Sequence, residues 1–219
     1  MKLKVCGLTE LDQIQELISM NTDFLGFIFH KKSSRYVLNH LSLDEILKIN
    51  HSGKVGVFVN ENLDKLIEIA EKADLNFIQL HGDENNEFIS ELNKKLNPKI
   101  RIIKVIRIGN QSFDELQKNI NRQLSTINYL LFDTDSKAYG GTGETFNWNI
   151  LNEIEIPLPY FLSGGISLEN IGNIELLNQK PFALDINSRF EMGPGNKDVE
   201  KIKKLVNLFQ SPKGTTNKE

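Results

Sequence analysis

Leu3-Lys4-Val5-Cys6-Gly7-Leu8-Thr9-Glu10-Leu11-Asp12-Gln13-Ile14-Gln15-Glu16-Leu17-Ile18 contains one whole strand–turn–helix unit. The run 3–7 is short, apolar and closed by glycine, the pattern of a buried strand. Leu11, Ile14, Leu17 and Ile18 then recur on one face at helical spacing, and Thr9 is placed to cap that helix. The unit repeats along the chain. Further strand candidates are 24–29, 54–59, 77–82, 101–108, 129–134, 160–165 and 182–186. Their Val/Ile/Leu/Phe-rich centres suit strands buried on both faces, as in a parallel sheet. Helical stripes lie between them: Leu63, Leu66, Ile67 and Ala70; Phe88, Ile89, Leu92 and Leu96; and Ile202, Leu205, Val206 and Phe209. A polar helix is predicted over 113–124 and a short one over 147–154. Such an alternation over about 210 residues predicts a single (β/α)8 TIM barrel. A doubly wound open sheet is the competing arrangement, and eight units without a visible switch point favour the barrel. No linker divides 1–210, and 211–219, polar with Pro212 and Gly214, reads as a disordered tail.

Composition narrows the function classes. The chain has 219 residues, 39% hydrophobic and 25% charged, which fits a folded globular protein. A net charge of −3 supplies no basic field for nucleic acid. Its one cysteine cannot form an internal disulfide, the N-terminus carries no apolar leader, and no apolar run approaches the length of a membrane helix. A cytoplasmic protein with no membrane or nucleic-acid partner is expected, as a monomer rather than a dimer.

In such a barrel the active site lies at the C-terminal ends of the strands. Cys6 ends the first run and Asp133 the sixth, so the two side chains face one mouth as a possible base and acid. Lys4 shares the Cys6 face and can favour the thiolate. The bland readings are a small buried hydrophobe for Cys6 and a cap or ion pair near 139–143 for Asp133. Gln79, His81, Arg107 and Asp185 also stand at strand ends. Arg35, in the basic loop His30-Lys31-Lys32-Ser33-Ser34-Arg35, can grip a carboxylate bidentately or be a solvated surface charge. Gly164-Gly165 and Asn187-Ser188 follow the seventh and eighth strands, where backbone N–H groups and a helix start commonly hold phosphate. His81 has no second histidine or cysteine at ligand spacing, so no metal is expected. Trp148 reads as packing.

These stretches together resemble one family. Lys4-Val5-Cys6-Gly7-Leu8-Thr9, Ser33-Ser34-Arg35-Tyr36-Val37, Gln79-Leu80-His81-Gly82-Asp83, Asp133 with Gly140-Gly141-Thr142-Gly143, Leu162-Ser163-Gly164-Gly165-Ile166, and Asp185-Ile186-Asn187-Ser188 with Pro194-Gly195-Asn196-Lys197-Asp198 are similar, in order, to phosphoribosylanthranilate isomerase of tryptophan biosynthesis. The resemblance implies a small phosphorylated substrate and a cofactor-free Amadori rearrangement. Carried over by motif, it implies Cys6 as general base, Asp133 as general acid and Arg35 as the holder of the substrate's ring carboxylate. It also places Gly165, Asn187 and Ser188 where the family binds phosphate. One departure stands out: the family more often has Ser-Ser-Gly where this chain has Asn187-Ser188-Arg189. Arg189 cannot cheaply visit the positive φ open to glycine. Another sugar-phosphate isomerase or synthase would need a different acid and base, and a non-catalytic phosphometabolite binder would need neither Cys6 nor Asp133.

Overall fold

The computed structural model describes residues 1–135 and 145–210. The loop 139–143 and the tail 211–219 invoked above lie outside the described residues. Eight parallel strands close into a barrel in chain order: β1 (Lys2–Val5), β2 (Phe24–Ile28), β3 (Lys54–Phe58), β4 (Phe77–Leu80), β5 (Arg101–Ile108), β6 (Tyr129–Thr134), β7 (Tyr160–Leu162) and β8 (Ala183–Ile186). β8 closes on β1 in register, Lys2 beside Ala183 through Val5 beside Ile186.

Strand periodicity sorts the side chains into two layers. One set, with Phe24, Val55, Ile103, Val105, Leu131, Phe161 and Ala183, fills the barrel itself. Phe161 packs edge-on against Phe24 at 5.2 Å and Tyr129 at 5.7 Å, an aromatic plug at the N-terminal end. The other set packs outward against the helices. A step of two along each interior row leads from plug to mouth: Tyr129 and Leu131 to Asp133, Phe77 to Gln79 and His81, Ala183 to Asp185 and Asn187, Lys4 to Cys6. The apolar floor and the polar site are one pattern.

The helices are α1 (Leu11–Ser19), α2 (Leu43–Lys48), α3 (Leu63–Lys72), α4 (Asn86–Lys95), α5 (Phe113–Gln123) and α6 (Val199–Gln210). Ser42 with Glu45 and Ser112 with Glu115 form capping boxes on α2 and α5. Buried Lys54 donates to Ala73 O at 3.0 Å and to Ile46 O and Leu47 O at 3.4 Å, satisfying carbonyls at the ends of α2 and α3.

Several expectations need correction. Strands β1 and β7 stop short of 3–7 and 160–165 because Gly7, Gly164 and Gly165 turn to positive φ of +75°, +84° and +64°. Thr9 does not cap α1; Glu10 holds that position without a side-chain bond, and Thr9 Oγ1 donates to Gly195 O at 3.0 Å. α2 has no counterpart among the predicted stripes, since six residues show too little periodicity. The helix over 147–154 is a 3-10 turn, Trp148–Asn152, with Trp148 buried in the outer layer. β7 leads only to the 3-10 segment Ile171–Leu176, where Gly172 and Asn173 are poor helix formers.

Phe161→Ala should destabilise the barrel by about 3–5 kcal/mol, the usual loss for a buried phenylalanine. It should leave anion binding at the mouth of the folded protein unchanged, because the plug lies at the far end. Urea unfolding monitored by circular dichroism and titration with inorganic phosphate measure the two effects.

Candidate active site

Cys6 follows β1 and continues its pairing, its N–H donating to Ile186 O at 2.9 Å. Space for it is provided by Gly26, whose Cβ would lie 3.0 Å from Sγ and 2.9 Å from the Cys6 Cα. Below the thiol, Lys4 Nζ donates to Asp185 Oδ1 at 2.9 Å, and both residues are buried. Burial alone lowers the Lys4 ammonium, but Asp185 and Cys6 beside it more than reverse this and hold it up. Burial pushes the Cys6 thiol up, with Lys4 and Lys197 pulling against it. Lys4 therefore favours the thiolate as expected, yet burial wins and the resting group is a thiol.

Across the mouth, Asp133 is buried at the end of β6, its Oδ1 accepting from the Thr134 N–H at 2.9 Å. His81 Nε2 stands 3.4 Å from Asp133 Oδ2, near but not aligned for a hydrogen bond. Gln79 Nε2 lies 3.2 Å from His81 Nδ1. If that amide donates to Nδ1, the ring proton sits on Nε2, facing Asp133. Among the described residues, buried Gln79 Oε1 and His81 Nε2 have no hydrogen-bond partner.

Arg35 reaches the same mouth from the loop after β2, which returns to the barrel through a bridge between Ile28 and Tyr36. It is not a solvated surface charge. Its side chain is only 12% exposed, and its Nε and Nη2 donate to Glu191 Oε2 at 2.9 and 2.7 Å. Its stem crosses the strand end so closely that a Cβ on Gly7 would meet Cδ at 2.7 Å. Asn187 Oδ1 accepts from buried Lys197 Nζ at 2.9 Å and would lie 2.9 Å from the same Cβ. Asn187 thus joins the Cys6 side of the mouth.

Gly164 and Gly165 adjoin the acid. A Cβ on Gly164 would come within 2.5 Å of Thr134 Oγ1 and 3.3 Å of Asp133 Oδ1, so only glycine allows this approach. Asn170 fixes the loop, donating to Gly165 O at 2.9 Å and accepting from the Ser167 N–H at 2.8 Å. The expected helix start beside these loops is corrected: Ser188 opens only the 3-10 turn Ser188–Phe190, so the donors there are local N–H groups rather than an α-helix terminus. Arg189 is exposed in that turn and has no positive φ, so replacing glycine leaves no strain. Arg107 continues the interior row of Ile103 and Val105 to the mouth, beside Asp133 in the β5–β6 register, and is ion-paired there with Asp83.

Comparison with known proteins fits this geometry. Residues 3–208 match the family described as N-(5'-phosphoribosyl)anthranilate (PRA) isomerase. An N-(5'-phosphoribosyl)anthranilate isomerase of Staphylococcus aureus is 35% identical over 215 residues, covering 96% of this chain and 97% of that protein. The chain belongs to the phosphoribosylanthranilate isomerase family. Among solved structures, the phosphoribosyl anthranilate isomerase of Thermotoga maritima is 30% identical with a TM-score of 0.78, covering 95% of this chain and 98% of that one. A phosphoribosyl anthranilate isomerase in complex with reduced 1-(o-carboxyphenylamino)-1-deoxyribulose 5-phosphate is 28% identical with a TM-score of 0.74, covering 94% and 96%.

Several residues of this candidate site escaped the sequence reading as individuals. Asp185 was visible as a strand end, but not its pairing with Lys4. Glu191 is joined to Arg35 across 156 residues, a separation with no local signature, and Lys197 is joined in turn to Glu191. Glu84 accepts from the Asn60 and Gly82 N–H groups at 2.8 and 3.2 Å and from Lys104 Nζ at 2.8 Å, tying the loops after β3 and β4 to strand β5. The loop sequence Gly82-Asp83-Glu84 marked a turn, but not that role.

The thiol's raised pKa has a direct readout. Alkylation of Cys6 by iodoacetamide in the ligand-free protein should rise with pH to a midpoint above the ~8.5 of a free cysteine. A midpoint below that value would mean that the lysines, not burial, control the group.

Proposed function

We propose that this chain isomerises N-(5'-phosphoribosyl)anthranilate to 1-(2-carboxyphenylamino)-1-deoxyribulose 5-phosphate, a step of tryptophan biosynthesis, with Cys6 as general base and Asp133 as general acid. One observation carries the assignment of roles: a lone thiol and a buried carboxylate rise from interior rows of the same barrel mouth. Between them lie the Lys4–Asp185 pair on the barrel axis and, at the rim, a half-occupied arginine.

The chemistry follows from what those groups can do. Asp133 donates its proton to the furanose oxygen as the C–O bond breaks, and the anthranilate nitrogen's lone pair forms the protonated imine. That cation acidifies the neighbouring C2 hydrogen, which the Cys6 thiolate removes. The electron pair moves toward the imine to give an enolamine, which tautomerises to the ketone. Lys4 and Lys197 favour the Cys6 thiolate. We assign the phosphate to the Gly164-Gly165 loop with Ser188 and Asn187, and the ring carboxylate to Arg35. Pinning both ends holds the reacting carbons between acid and base. Gln79 and His81, joined to each other, complete the polar wall beside Asp133.

Every group named comes from one chain, so we propose that a monomer suffices for activity, although a Thermotoga maritima relative is dimeric. A catalytic thiol that must stay reduced suits the cytoplasm. Among the described residues no helix is long and apolar enough to cross a membrane.

Loss of substrate fluorescence provides the assay. Cys6→Ala and Asp133→Asn should each lower kcat by roughly 10²–10⁴, the contribution of a general acid or base. Asp133→Asn keeps the shape of the site and should still bind the reduced product analogue. A loss below about tenfold in either variant would reassign that role. Arg35→Ala, by contrast, should raise KM more than it lowers kcat, because the carboxylate is remote from the bond changes. An unchanged KM would remove the carboxylate from Arg35.

A further inference from the structure

Glu191 is a buried carboxylate that the acid–base mechanism does not use. Its side chain is 3% exposed, yet it stands at the rim of the mouth between two cations. Oε2 accepts from Arg35 Nε at 2.9 Å and Nη2 at 2.7 Å, and Oε1 accepts from Lys197 Nζ and from the Gly195 N–H at 3.2 Å. Burial would lift this carboxyl, but Arg35 and Lys197 hold it below the usual range.

The carboxylate is placed by a small hairpin. Glu191–Gly193 and Asn196–Lys197 pair antiparallel, with Lys197 opposite Glu191. The hairpin is fastened to the first βα unit at several points. Thr9 Oγ1 donates to Gly195 O at 3.0 Å, Gln13 Nε2 to Asn196 Oδ1 at 2.7 Å, and the Lys197 N–H to Gln13 Oε1 at 2.8 Å. Lys197 is buried beneath, with Asn187 as its second partner. Glu191 is therefore held at a fixed position relative to Cys6 and Gly7.

Its effect on Arg35 is geometric. A guanidinium offers its N–H groups along distinct edges. Glu191 takes the Nε–Nη2 edge, and among the described residues Nη1 makes no hydrogen bond. The Nη1–Nη2 edge is left as a second fork of the width a carboxylate needs. Two cations stand against one carboxylate, so the cluster keeps an excess of positive charge for an incoming anion.

We propose that Glu191, supported by Lys197, is a positioning residue that locks the Arg35 fork and presents its remaining edge to the substrate's ring carboxylate. The inference rests on Arg35 being the carboxylate clamp. Glu191 then contributes to selection of a ring bearing an ortho-carboxylate, without touching substrate.

Two ligands separate this from a general structural role: the reduced product analogue and its counterpart lacking the ring carboxylate, each titrated calorimetrically. Wild-type protein should prefer the carboxylated ligand by at least about tenfold, the size of one hydrogen bond to a charged group. In Glu191→Gln that preference should fall to about threefold or less, while affinity for the ligand without carboxylate stays within about threefold of wild type. The double variant Glu191→Gln/Lys197→Met, which leaves no lone buried ammonium, should behave alike and serves where the single variant melts early. A wild-type preference retained in the folded variants overturns the proposal. So does an increased preference, which would make Glu191 a competitor of the substrate, and so does failure of both variants to fold, which would make it structural. A wild type that binds both ligands equally fails the Arg35 clamp itself, and is distinguishable from the other results.

Discussion

The barrel depends at its centre on one ion pair, Lys4 with Asp185 at 2.9 Å. It spans β1 and β8, the seam at which the sheet closes, and lies between the aromatic plug and the acid–base groups. Two charges buried there need each other. Removing one partner of such a pair costs about 3–5 kcal/mol because it strands the other in a dry interior. A pair of apolar residues would close the seam as well, so stability alone gives no reason for charges at this position. The Cys6 thiol directly above does: an ammonium beneath it favours the thiolate that the role proposed for Cys6 requires.

Opposing magnitudes set that thiol's behaviour. The two lysines pull it toward the thiolate, and burial with Asp185 pushes it toward the thiol; burial is the larger effect. A resting thiolate in a mouth still open to solvent would be exposed to alkylation and oxidation. In the mechanism proposed above, keeping the proton until a protonated imine forms beside it would tie the base to the moment it is needed. Lys4 can do this only because Asp185 holds its charge in place while burial works against it.

The alternation of apolar runs made the strands legible, since their continuous Val/Ile/Leu/Phe centres reflect burial on both faces. It also made Cys6, Asp133 and His81 legible, because interior rows carry the plug's parity up to the mouth. What was not legible depends on distance or on local geometry. The pairing of Arg35 with Glu191 spans 156 residues and has no periodic trace. The 3-10 segments after β6 and β7 come from weak helix formers and short spans, which a rule of one helix per strand overlooks. Thr9 had the right residue type for a cap but bonds to Gly195, because the hairpin after β8 docks where the cap would form.

That hairpin explains why the two halves of the mouth are built differently. On the acid side, Asp133, His81 and Gln79 come from the strands themselves, and Glu84 with Lys104 braces the loops beside them. On the base side, Cys6 and Asn187 come from strand ends. The rest is brought by two excursions of the chain, the loop carrying Arg35 and the hairpin carrying Glu191 and Lys197. The proton donation proposed for Asp133 needs a fixed direction, which a strand supplies. The carboxylate clamp proposed at Arg35 must reach over the top of the barrel, which strands cannot do. Gly7 lets the two excursions meet over β1, since its missing Cβ leaves room for the Arg35 stem and the Asn187 amide together. The glycine that ends the first strand is therefore as much a part of the clamp as the arginine, and any side chain there would meet both.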